Sequence, residues 1–182
     1  MKTVQRAEPP GAAGFDGRQE LRLGTNDSIR LDLTDRDLGP LAGSLLTYWR
    51  VNCPAGGLPD RRSFDPVLLG RWLGYLSLYE FEAERNDFRN RLEGSYVADL
   101  TGENWTGRRA SEVDARFGTG FLAELHEVRS QWRPVAHLIK VFQKEYSVAE
   151  RVLLPVAVEP GGPADQIFVA IFANGFRPTR SV

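Results

Sequence analysis

Side chains that could ligate a metal or attack a substrate are few and scattered. The chain has two histidines, His126 and His137, and one cysteine, Cys53. No Cys–His pair at suggestive spacing, no His/carboxylate metal cluster and no G-x-S-x-G elbow accompanies them. Glu80, Glu82 and Glu84 alternate along one side of an extended segment, a pattern open to paired acid/base work but far commoner as a solvated edge. Gly118-Thr119-Gly120-Phe121-Leu122-Ala123 has the form G-x-G-x-x-A at the start of a helix. The preceding DARF is no buried parallel strand, so these glycines read as a helix opening whose free N–H groups could receive an anion. Enzyme activity is not expected.

Aromatic residues offer a different chemistry. Tyr96 and Trp105 lie in Phe88–Arg108, FRNRLEGSYVADLTGENWTGR, and each joins a large apolar body to a polar tip suited to a planar ligand. The stretch begins as a strand, breaks at Gly94, turns helical through Leu100 and breaks again at Gly102 and Gly107, which makes a cup. Filling a core is the competing use of the same aromatics.

The elements that position this cup follow from periodicity. Leu41, Leu45, Tyr48 and Trp49 fall at helical spacing behind Pro40, giving an amphipathic N-terminal helix whose stripe packs on its own domain, makes a dimer contact, or both. Asp65-Pro66 suits the start of a short helix carrying Leu68, Leu69, Trp72 and Leu73. Residues 75–82 and 88–92 read as an antiparallel hairpin. After SEVDARFGTG, a helix of about 14 residues starting near Gly118 buries Phe121, Leu125 and Val128 and leaves His126 at the surface. Three strands follow over 134–142, 147–158 and 166–173, joined by a tight turn at 143–145 and a Pro/Gly loop, so they pair antiparallel. IFVAIFA, without alternation, suits a central strand covered on both faces.

Strand phase then places a pocket. With Arg151 outward, Val152, Leu154 and Val156 point inward towards Leu125, beneath Tyr96 and Trp105. His137 shares phase with Val135, Ile139 and Val141 and can face the interior.

Residues 1–37 are too poor in apolar groups to offset the entropy of ordering them and read as a flexible tail, with a short strand or hairpin over 21–33 as the lesser option. A domain over 38–176 and a C-terminal tail over 177–182 complete the organisation. A chain of 182 residues is long enough for one core. Its 23 Lys+Arg against 24 Asp+Glu supply no excess of positive charge for a phosphate backbone, so nucleic acid is not an expected partner. No apolar run approaches a membrane span or signal peptide, and a lone cysteine suits a reducing compartment, so a cytoplasmic location is expected.

The order of elements and several motifs resemble the PAS family of sensor domains, and more closely a bacterial subfamily in which the domain is often nearly the whole protein. The residues that carry it are Tyr48-Trp49, Leu58-Pro59, Asp65-Pro66, Phe88-Arg89-Asn90-Arg91-Leu92-Glu93-Gly94, Thr106-Gly107-Arg108 and Glu150-Arg151-Val152-Leu153-Leu154-Pro155, within about residues 41–175. The resemblance implies an α+β fold: a five-stranded antiparallel sheet with helices on one face, a cavity between them, and dimerisation through the N-terminal helix. With no kinase, cyclase or DNA-binding segment attached, output is expected to pass to a separate signalling protein or through a homodimer.

Family members bind haem, flavin or small metabolites. Haem needs an axial ligand, and a hydrogen-bonded interior histidine outweighs that role for His137. A covalent flavin adduct is excluded because Cys53 ends the first helix. Reversible binding of a small planar or acidic ligand near Tyr96, Trp105, Leu125, His137, Val152 and Leu154 stays open, with the cofactor unassigned. The alternatives are a pure interaction module with a filled core, its partner face being the sheet around Leu153, and, more remotely, a small-molecule enzyme.

Overall fold

IFVAIFA occupies the middle of the molecule. In the computed structural model, which describes residues 28–31, 33, 38–141 and 147–173, six antiparallel strands form one sheet: β1 (Ile29–Leu31), β2 (Leu76–Glu82), β3 (Asp87–Leu92), β4 (Val135–Val141), β5 (Ser147–Val156) and β6 (Gln166–Ala173). Their order is β1-β4-β5-β6-β2-β3, which sets β6 between β5 and β2. Successive residues of β6 go to opposite cores: Phe168, Ala170 and Phe172 to one, Ile167 and Val169 to the other. A strand buried on both faces has no reason to alternate.

The two faces carry different covers. Helix α1 (Pro40–Val51) packs on one, with Leu45, Leu46 and Trp49 against Val152, Leu154 and Phe168. Trp49 Nε1 donates to Pro155 O at 2.8 Å, which fixes the helix to β5. On the other face lie α2 (Ser95–Thr101), α3 (Ala110–Phe117) and α4 (Phe121–Gln131), with Phe121, Leu125 and Val128 against Leu153 and Val169. The expected arrangement of helices on one face therefore gains an opposite layer, because both sides of β5 and β6 are apolar. Leu153 is fully buried under this layer, so the sheet around it offers no open partner face.

Four other expectations are corrected. The sixth strand, β1, lies in the segment read first as a flexible tail and, as the lesser option, as a short strand over 21–33: Ile29 pairs with Leu138 and Leu31 with Ala136, Arg30 reaches Glu127 at 2.6 Å, and Leu31 and Leu33 pack against the core under α1, so pairing, charge and two leucines order it. Over 66–72 there are turns rather than a helix, flanked by 3-10 turns at Arg61–Phe64 and Leu73–Tyr75. Gly70 falls inside that window, and glycine is among the residues that cost a helix most. Residues 110–117 are a helix in their own right, closed by Gly118 at φ 66°, and α4 starts three residues later. His126 is half-buried instead of at the surface, because the β2–β3 hairpin covers that side of α4. Its ring meets Phe81 and Phe88 at 6.0 and 5.2 Å, and its Nε2 donates to Asn86 O. The remaining tail residues, the 143–145 turn and the C-terminal tail lie outside the described residues.

Gly94 joins strand to cup. A Cβ there would stand 2.4 Å from Gly74 O and 2.8 Å from Leu76 O, so only glycine lets the end of β3 pass this close to the start of β2 and turn into α2.

Candidate functional site

Between the sheet and α2–α4 lies a cavity of about 100 Å³. Its floor is the sheet: Ser77 and Tyr79 from β2, Ile139 and Val141 from β4, Val169 and Ile171 from β6. Its cover is the cup: Val97 and Leu100 of α2, Trp105 of the following loop, Phe117 of α3 and Phe121 of α4. The lining is mostly apolar, with a few polar groups set into it, as ligand cavities are.

Arg151 is the charge in the floor. It pairs in register with His137 on β4 and Ile171 on β6, and it is 7% exposed. One guanidinium nitrogen donates to Glu124 Oε2 on α4, and the guanidinium carbon lies 5.0 Å from the Phe121 ring centroid. Its Nε has no hydrogen-bond partner among the described residues. Burial lowers the guanidinium pKa and raises that of Glu124, and each charge opposes the other's shift. A guanidinium keeps its proton in proteins, and the geometry pairs it with the Glu124 carboxylate.

At another wall, Glu93 accepts from Asn90 Nδ2 and is also hydrogen-bonded by Ser77, while burial holds its pKa above the usual carboxylate range. Burial, and next the Glu93 charge, push the Tyr79 phenol far up, so it stays protonated. Trp105 is 3% exposed; its ring packs against Phe117 at 5.6 Å, Arg108 lies over it at 4.7 Å, and its Nε1–H has no partner among the described residues.

Of the six residues expected to hold a ligand, Trp105 alone lines this cavity. Val152 and Leu154 face α1 across the sheet, because strand phase runs opposite to expectation: Arg151 points into the cup and its neighbours away from it. Leu125 packs behind the cavity with Leu153 and Val128. Tyr96 packs against Tyr75 with the rings tilted, 4.7 Å between centroids, and Tyr75 joins the α1-side core. His137 does face the α4 side, with Nδ1 3.6 Å from Glu124 Oε2, too far for a hydrogen bond. Burial, then Arg151 and Arg30, depress its pKa to about 4, so the ring is neutral at pH 7 and makes no ion pair with Glu124.

The phase of β5 had a sign in the sequence. VLLPV is apolar at successive positions, so both faces of that strand are buried and a charge within it cannot be assumed to look outward. Glu150 is buried as well, on the α1 side, where Oε1 accepts from Gly39 N at 2.9 Å.

The other sequence candidates have structural tasks. Glu80 pairs with Arg91 at 2.7 Å, and Glu82 with Arg109 at 2.8 Å and with Arg89; those two arginines hold the Glu82 carboxyl at about 2. These are cross-strand and strand-to-helix ties rather than a solvated edge. The N–H groups of Phe121 and Leu122, at the glycine-rich opening of α4, are taken by Asp114 at 2.7 and 2.9 Å, which leaves them no anion to receive. Cys53 belongs with the α1-side core, the sheet between it and the cavity. Of the proposed dimer residues, Leu45 and Trp49 are buried in the chain's own core, while Leu41 and Tyr48 are half-buried.

Comparison with known proteins places this geometry in a family. A family model described as the PAS domain matches residues 40–164. A structure described as an RNA-binding light-oxygen-voltage receptor is similar at a TM-score of 0.45 and 16% identity, over 80% of this chain and 37% of that one. The chain thus spans well under half the length of that receptor. Curated proteins give no significant match. No helix among the described residues is long and apolar enough to cross a membrane.

Proposed function

The chain belongs to the PAS-domain family, and from that premise we propose that it is a sensory or regulatory module that binds a small ligand between its sheet and α2–α4 and signals to a separate protein. The supporting observation is the cavity itself: an apolar chamber of about 100 Å³ whose floor holds a buried arginine. A core filled for stability alone gains nothing from a charge at that place, since burying one is costly even when paired. At this size the chamber suits a small metabolite better than a haem or flavin, whose sites start at about 300 Å³.

Occupancy can reach the surface along short routes. Arg151 is tied to Glu124 of α4, and Ser28 beside β1 donates to the same carboxylate at 3.2 Å. A ligand that shifts the guanidinium therefore loads α4 and the edge strand together. We propose in addition that the protein acts as a homodimer through α1.

Native mass spectrometry of freshly purified protein, compared with the denatured mass, tests the ligand reading. Excess mass lost on denaturation is expected. A clean mass in the native state, unchanged after incubation with a small-metabolite extract, would overturn it.

A further inference from the structure

The walls of the cavity restrict what it can take. Five buried side-chain nitrogen or oxygen atoms among the described residues have no hydrogen-bond partner, and two belong to residues lining the cavity: Arg151 Nε and Trp105 Nε1. Both are N–H donors. A buried donor left unmade is costly, so a bound group that accepts from it gains what the described protein groups do not supply.

Charge narrows the class further. Arg151 is already matched by Glu124, and Glu93 adds a carboxyl to the lining. A second carboxylate would share the guanidinium with Glu124 in a lining that already holds Glu93, and an ammonium would meet Arg151. Lys140 contributes to the rim from the strand phase opposite Ile139 and Val141. The apolar walls of Val97, Leu100, Phe117 and Ile139 call for a hydrocarbon body.

We infer that the cavity takes a small uncharged molecule with an apolar body and a carbonyl oxygen, of ketone, lactone or amide type, the oxygen accepting from Trp105 Nε1–H and Arg151 Nε–H. This rests on the reading of the cavity as a ligand site and adds the chemical class to it. A single small ring sets the upper size, because a dry cavity of about 150 Å³ holds a benzene.

The test uses three probes of one body: cyclopentanone, cyclopentanecarboxylate and cyclopentylamine. Titration of the full-length protein is followed at the Trp105 indole and Arg151 Nε–H proton signals by nitrogen-15 correlated NMR, with the indole signal assigned through Trp105→Phe. Cyclopentanone is expected to move both signals saturably, with the charged analogues at least roughly tenfold weaker, the value of one good hydrogen bond or more. Trp105→Phe, which keeps the ring volume, should weaken the ketone by roughly five- to tenfold. The paired variant Arg151→Met with Glu124→Gln removes both charges together and leaves neither unmatched; it should weaken the ketone similarly. A charged analogue that binds as tightly as the ketone would overturn the class while leaving the ligand site standing. If no probe moves either signal, the chamber holds water only, and both the class and the site fall.

Discussion

His137 is neutral where an exposed histidine would titrate, and its consequence for stability has a definite sign. Its folded pKa is about 4 and its ordinary value 6.5, so above pH 6.5 neither folded nor unfolded chain binds the proton. Between 6.5 and about 4 the unfolded chain binds it and the native chain does not, and stability is lost progressively as pH falls through that window. At pH 5 the loss reaches at most about 2 kcal/mol, from the value of one unit of differential protonation. Glu93, Glu124 and Glu150 have raised pKa values and act in the opposite sense at lower pH, so the histidine must be isolated by difference. Urea unfolding at pH 7.5 and pH 5 should show the wild type losing about 1–2 kcal/mol more than His137→Gln. Equal losses in the two proteins would mean that the imidazole titrates in the native state as it does in the unfolded chain, and a smaller loss in the wild type would mean that it is protonated there and pairs with Glu124.

At the scale of elements, the cup depends on two joints. Asp114, in the body of α3, accepts from the first N–H groups of α4 and from Thr119 Oγ1 at 2.6 Å, standing in for the N-cap side chain that Gly120 lacks. Asp114→Ala should destabilise the protein by about 1–2 kcal/mol, the usual cost of a lost cap, and Asp114→Asn by less. At the other joint, Gly94→Ala forces a methyl into the Gly74 and Leu76 carbonyls and should cost about 1–3 kcal/mol, as overpacking does. Chemical denaturation measures both. An unchanged midpoint for Gly94→Ala would show that the β3–α2 junction can open without loss. Neither joint follows a local rule: the cap reaches α4 from seven residues upstream, and the clash at Gly94 comes from a segment about 20 residues earlier. Periodicity gave α1, the β2–β3 hairpin and the last three strands because those signals are local. The cavity wall depends on the phase of β5, where the habit of charges points Arg151 outward. The correct phase requires knowing that α1 crosses the far face and claims Val152 and Leu154, which is a tertiary fact.

For the whole molecule, the two-sided sheet decides how copies of the chain can meet. The stripe of α1 that looked available for dimerisation is divided: Leu45 and Trp49 are spent on the sheet, so Trp49→Ala should lower stability by about 3–5 kcal/mol and would disrupt a dimer only by unfolding its subunits. An interface must use what α1 and its neighbour leave outside. Val51 at the end of the helix is 78% exposed, and Val67 and Leu68 are 87% and 59% exposed in the loop whose Trp72 packs 5.4 Å from Tyr48 of α1. Apolar groups that far out on a helix and on the loop packed against it are what a second copy could cover. Sedimentation should therefore find a dimer that dissociates on dilution. Val51→Lys and Leu68→Lys should shift that equilibrium towards monomer by roughly tenfold each while changing monomer stability by less than about 0.5 kcal/mol, as surface changes do. A wild type that sediments as a monomer at every concentration would remove the dimer. A dimer indifferent to both substitutions would move the interface off α1, and signalling would have to leave the molecule by another face.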